Sequence, residues 1–160
     1  MTDPVLKLEH SHATLTRLAL EVRELVRAEK GERRPDVVMR KRLLSRLEVL
    51  RDELLGHFAH EEEGLFPFVR RNLPRESNVV DRLQDAHDTI CGSLVRLTHL
   101  VGHADEEGLD AIRPALVALH ERFEKAYAEH SQEEALLFEG LGRTLDQRQR
   151  AELAEMLHGL

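Results

Sequence analysis

In four long stretches of this chain apolar residues return every three or four positions, and in each stretch a histidine takes one place in the stripe. That period belongs to a helix with one face turned toward a core. The first stripe reads Val5, Leu8, His12, Leu15, Leu18 or Ala19, Val22 and Val26. The second reads Val38, Leu43, Leu44, Leu47, Leu50, Leu54, His57, Phe58, Glu61 and Leu65. The third carries Leu83, His87, Ile90, Leu94, Leu97 and Val101, and the fourth Leu116, Leu119, Phe123, Tyr127, His130, Glu134, Leu137 and Phe138. Imidazoles and carboxylates on buried faces are costly unless something in the interior binds them. The chain must therefore fold so that its helices share one interior and these polar groups meet there.

Punctuation between the stripes sets the expected boundaries. Asp3-Pro4 is a cap followed by proline in the first turn, and the helix it opens should end near Glu29. Lys30 to Arg34 reads as a turn, and Pro35 as the start of the second helix. Pro67 should bend or break that helix, because proline lacks the N–H and crowds the preceding turn. Asn72 to Asn78 is a loop, the third helix spans about 79 to 103, and Ala104 to Gly108 is an acidic turn. The fourth helix starts near Asp110 or Arg113 and is expected to end near 141, beside Gly140 and Gly142. Asp146 then caps a short helix over about 146 to 158. The fold class is all-α: an up-down-up-down four-helix bundle over about 4 to 141 with a short C-terminal fifth helix, in a single domain of 160 residues.

Composition agrees. There are five Phe, one Tyr and no Trp, so core volume must come mainly from Leu and Val, as suits helix on helix. A net charge of −7 argues against nucleic acid, whose phosphates need a positive surface. The basic cluster Arg33, Arg34, Arg40, Lys41 and Arg42 reads as a solvated loop and helix start. Cys91 is the only cysteine, so no intrachain disulfide can form. The N-terminus lacks the apolar core of a signal peptide, and no apolar run reaches membrane-spanning length. A cytoplasmic protein with no membrane partner is expected.

Antiparallel neighbours would bring the polar positions to one level. His12 and His87 lie about eight residues into their helices, roughly 12 Å at ~1.5 Å per residue. The His57/Glu61 and His130/Glu134 pairs lie ~13–20 Å from the helix ends that pack beside them. Within each pair a spacing of four puts both side chains on one face. The chain also repeats itself: His12 precedes His57 by 45 residues and His87 precedes His130 by 43, with a Glu four residues later each time. Two metals suit so symmetric a set better than one, each taking two imidazoles, with both carboxylates bridging or shared. Imidazole and carboxylate donors suit iron or manganese, and zinc accepts them too.

The ordered set His12, His57-x-x-x-Glu61, His87 and His130-x-x-x-Glu134, with Glu-Glu-Glu-Gly-Leu-Phe-Pro-Phe running from Glu61 to Phe68, resembles the hemerythrin-like, or HHE cation-binding, family. The resemblance covers about residues 5 to 141. It implies a four-helix bundle holding two iron ions, bridged by an oxo or hydroxo group and two carboxylates. It implies binding of or reaction with O2, peroxide or NO in an oxidative or nitrosative stress role. The alternative is an iron- or oxygen-sensing regulatory module without turnover, and a homodimer or protein partner stays open. One position departs from the oxygen-carrying members: where they place a second histidine four residues after that of the third helix, this chain has Cys91. That weakens the case for reversible oxygen carriage and strengthens redox or sensing roles.

Each position has rivals. A lone histidine in a stripe is more often a satisfied core residue than a ligand. His10 competes with His12 in worse phase, Glu62 with Glu61 though rotated away, and Glu133 with Glu134 by a one-residue ambiguity. Cys91 reads as a small core residue, and His60 as a rim residue. His120 is too far along its helix, and His99, His103 and His158 read as surface residues. Tyr127 would either donate a hydrogen bond into the centre or fill space with its hydroxyl satisfied elsewhere.

Overall fold

Four helical rods carry the chain. The computed structural model describes residues 3–28, 36–104 and 108–158. Helix α1 spans Pro4–Arg27, and the Asp3 side chain caps it by accepting from the Val5 N–H at 3.0 Å. The second rod is continuous from α2 (Asp36–His60) through a π-helical turn (Glu61–Leu65) into α3 (Phe66–Asn72). Helix α4 spans Ser77–Gly102, α5 Gly108–Thr144 and α6 Gln147–His158. The Lys30 to Arg34 turn, Pro35 and residues 105–107 lie outside the described residues.

Cross-links between the rods establish their directions. Between α1 and α2, Glu21 faces Arg46 while Ser11 faces His57, so one chain runs up as the other runs down. Between α2 and α4, Arg40 donates to the carbonyls of Val101 and Gly102, and Phe58 stacks on His87. Between α4 and α5, Arg82 pairs with Glu133 while His87 meets His130. Between α5 and α1, Arg113 donates to the carbonyls of Val26 and Ala28, Tyr127 meets Thr16, and Glu134 meets His12. Every neighbour is antiparallel, and the ring α1–α2–α4–α5 closes as an up-down-up-down bundle.

Helix α5 starts at Gly108, earlier than expected, and three further departures from the expected boundaries have a physical reason. Pro67 does not break its helix. The turn before it widens instead: the Phe66 N–H bonds Glu61 O, five residues back, and Pro67 then sits in the first turn of α3. The expected 72–78 loop shortens to Leu73 and a 3₁₀ turn, Pro74–Glu76. Helix α5 runs through Gly140 and Gly142 to Thr144. Two interior glycines cost about 2 kcal/mol against alanine. Burying Leu137, Phe138 and Leu141 is worth about 1.5–3 kcal/mol each, so packing prevails. Asp146 caps α6 in a reciprocal box, accepting from the Gln149 N–H at 2.8 Å while its own N–H donates to the Gln149 side chain at 3.1 Å.

The core is in two parts. The larger holds Leu15, Leu18, Val22, Leu43, Leu47, Leu50, Leu54, Leu94, Leu97 and Phe123 among its members. The smaller, at the end closed by α6, holds Val5, Leu8, Phe68, Val69, Leu83, Leu141, Leu153 and Leu157. Among the described residues there is no strand, and no helix is long and apolar enough to cross a membrane.

Leu47 is fully buried and Leu136 is 69% exposed. Leu47→Ala is expected to cost about 2–5 kcal/mol in urea unfolding, and Leu136→Ala no more than about 0.5 kcal/mol. Equal effects at the two positions would contradict this assignment of the core.

Candidate metal centre

Between the two apolar clusters lies a polar layer. Each rod contributes to it where its stripe passes from one cluster to the other: His12 between Leu8 and Leu15, His57 and Glu61 between Leu54 and Leu65, His87 between Leu83 and Ile90, His130 and Glu134 between Tyr127 and Leu137. His57, Glu61, His87, His130 and Glu134 are buried, whereas the His12 side chain keeps 20% of its surface in solvent.

The six donors form two trios, His12 with His57 and Glu134, and Glu61 with His87 and His130, each with its ligand atoms within 4.8 Å of one another. Both carboxylates span the trios. Glu61 Oε1 lies 3.1 Å from His57 Nε2, and its Oε2 lies 2.9 Å from His87 Nε2. Glu134 Oε1 lies 3.0 Å from His57 Nε2, and its Oε2 lies 3.1 Å from His12 Nδ1 and 3.0 Å from His130 Nε2.

Closeness here does not amount to hydrogen bonding. His57 Nε2 and Glu134 Oε1 make a hydrogen bond at 3.0 Å. Both oxygens of Glu61, Oε2 of Glu134, Nε2 of His87 and both ring nitrogens of His130 are buried without one. An orphaned buried polar atom costs about 1–3 kcal/mol. Cations placed among these lone pairs would satisfy them together, so the donor set fits a metal centre.

Protons take that role in the bare chain. Burial alone would lower the His57 imidazolium, but contacts with Glu134 and Glu61 prevail and push it up to about 10. Burial, reinforced by the charge of Glu134, holds the Glu61 carboxyl well above the carboxylate range. Burial would also raise Glu134, yet contacts with Glu61, His12, His130 and His57 hold it well below that range. Burial and the charge of His130 bring His87 down to about 3. The layer therefore sets a protonated His57 against Glu134, whose charged form is favoured, beside a Glu61 whose neutral form is favoured and a neutral His87.

The rivals fall elsewhere. His10 is exposed, Glu133 turns outward to Arg82, and His60 Nδ1 bonds the Gly56 carbonyl at 2.7 Å. His99, His103 and His158 are exposed. His120 is buried outside both trios, with burial lowering its pKa and Glu124 at 3.8 Å. Tyr127 lays its ring parallel to His12 at 6.2 Å, and its hydroxyl meets Thr16 at 3.3 Å. Cys91 is half-buried against the larger cluster, its thiol pushed up by burial, and belongs to neither trio.

Two contacts were not read from the sequence. Ser11 Oγ lies 3.0 Å from His57 Nδ1, and Glu62 Oε1 lies 2.6 Å from His87 Nδ1. Ser11 gave no signal beyond standing next to His12. Glu62 was set aside on α-helical phase, which the π-turn alters; Pro67 five residues on was the available hint.

A family model described as hemerythrin HHE cation binding domain matches residues 3–141. No curated protein and no solved structure matches the chain.

In the metal-free chain, an NMR titration is expected to show His57 ionising near 10. Glu134→Gln removes the charge facing it, which should return His57 toward or below its ordinary 6.5. A titration unmoved by that substitution would mean that Glu134 does not hold the proton on His57.

Proposed function

Because the chain belongs to the hemerythrin HHE cation-binding domain family, we propose that it is a non-haem di-iron protein that binds or reacts with O2, peroxide or NO. His12, His57, Glu61, His87, His130 and Glu134 would hold the two ions. The observation that carries this reading is the pair of carboxylates, each with oxygens directed at both trios. A single cation would leave one trio unsatisfied; two would satisfy both, held by the imidazoles of each trio and by Glu61 and Glu134. Such a centre supplies one- and two-electron exchange with small oxidants. Manganese and zinc take the same donor types, so the donors alone do not dictate iron.

The chain's own residues have definite tasks in this reading. The two glutamates supply negative charge in a place with no solvent to screen the cations. His57 gives up its proton when the centre fills and regains it when the centre empties. His12, the one donor with solvent exposure, marks the side on which a small molecule can reach the layer. The apolar clusters above and below exclude bulk water from the other side chains.

A second reading, an iron- or oxygen-sensing module without turnover, is favoured by one observation. The polar layer interrupts the core, so metal occupancy bears on the stability of the whole bundle and not only of a surface site. Adding peroxide or NO to the reduced protein separates the readings: turnover supports chemistry, and a change in stability or assembly alone supports sensing.

Metal analysis of protein from iron-replete cells is expected to find about two ions per chain, with loss in His57→Ala and in Glu134→Ala. A metal-free chain whose melting is indifferent to chelator would end the proposal. Loading should also release protons, because His57, with its pKa near 10, and Glu61 enter the reaction protonated. Affinity should therefore rise with pH across roughly 6 to 9, and a flat profile would show that no proton is displaced.

A further inference from the structure

His87 is held differently from the other three histidines. Its ring lies against two phenyl rings, Phe58 at 3.6 Å and 11° and Phe66 at 5.4 Å and 25° between planes. Stacking fixes the plane of an imidazole but not its edges. A half-turn about the Cβ–Cγ bond keeps the plane and exchanges nitrogen for carbon on both sides. Only a polar partner at an edge distinguishes the two orientations, and only that partner selects which nitrogen carries the proton.

Glu62 is the partner that forms a hydrogen bond, at 2.6 Å from Nδ1; Nε2, though 2.9 Å from Glu61 Oε2, makes none. At His57 and His130 the nitrogen turned away from the centre meets no carboxylate among the described residues: His57 Nδ1 has the Ser11 hydroxyl, and His130 Nδ1 makes no hydrogen bond. Adjacent residues of an α-helix point about 100° apart and do not ordinarily serve one ring. Here they do, because Glu61 and Glu62 begin the π-turn, where the hydrogen bond from Phe66 reaches back five residues to Glu61. Glu61 faces Nε2 of His87 and Glu62 faces Nδ1. The same turn delivers Phe66 to the ring face.

We propose that Glu62 is a positioning residue for His87, accepting the proton-bearing Nδ1 so that the Nε2 lone pair is presented to the trio of Glu61, His87 and His130. This rests on the metal-centre reading above. It matters most at this trio because α4 offers it a single donor, Cys91 standing outside the set. A carboxylate on the far nitrogen also makes the imidazole a stronger donor, which offsets a short ligand list.

Two measurements test it, one of them independent of metal. In the metal-free chain, long-range proton–nitrogen NMR should show His87 as the Nδ1–H tautomer. Glu62→Ala should give a mixture of tautomers, and Glu62→Gln, whose amide oxygen still accepts, should keep the wild-type form. In anaerobic titration with ferrous iron, Glu62→Ala should weaken one of the two binding steps ~10–100-fold while leaving the other. Glu62→Gln should stay within a few-fold of wild type. A Glu62→Ala chain with the wild-type tautomer and both wild-type affinities would overturn the proposal. Should the wild-type chain take up no iron, the di-iron reading fails, and the tautomer result still decides the role of Glu62.

Discussion

Two glutamates in the middle of a Leu-rich bundle are the constraint on which the rest depends. Glu61 and Glu134 are fully buried, and their carboxylates lie against the imidazoles of His12, His57, His87 and His130 and against each other. Two like charges so close in a medium of low dielectric cannot both persist unbalanced. The bare chain resolves this by neutralising Glu61 and protonating His57, an arrangement that leaves several lone pairs without partners. Two cations would remove the need for both protons and fill those vacancies in donation. The helices, the stripe positions and the antiparallel order are what bring the six groups to one height.

That height was legible in the sequence because it depends on quantities that pattern reveals well. Helix rise is constant, stripe phase is clear over long stretches, and antiparallel neighbours turn sequence offsets into levels. His12 and His57 are 45 residues apart, yet both contact Glu134. Phase also separated Glu134 from Glu133 once the helix was built, since one turns inward and the other pairs with Arg82. The caps at Asp3 and Asp146 are local chemistry and were visible for that reason.

What escaped depends on tertiary packing or on a departure from ideal geometry. The run of α5 through Gly140 and Gly142 is decided by the apolar surface that Leu137, Phe138 and Leu141 bury, not by glycine propensity. His120 stands four residues after Leu116 and three before Phe123, in phase with the buried stripe, but its distance along the helix from His130 was the only property weighed. The π-turn shifts the phase of residues 61 to 65, so a projection drawn with 3.6 residues per turn misplaces Glu62. Proline usually signals an ending. Here Pro67 signals a widened turn, and the ladder irregularity falls where two consecutive carboxylates meet opposite sides of one imidazole.

The division of the core bears on how the chemical and sensory readings relate. Each apolar cluster draws residues from all four rods, so each can hold the bundle together at its own end. The polar layer between them holds buried ring nitrogens and carboxylate oxygens without hydrogen bonds, so without a cation the rods gain less from staying close there than in the apolar clusters. Cations bound there would cross-link α1, α2, α4 and α5 at the level where the apolar packing is interrupted. A change in the charge or occupancy of such a centre would then act on the packing of the rods as well. On the di-iron reading, reactivity and signalling would therefore not be competing properties, because both would draw on the same interrupted core.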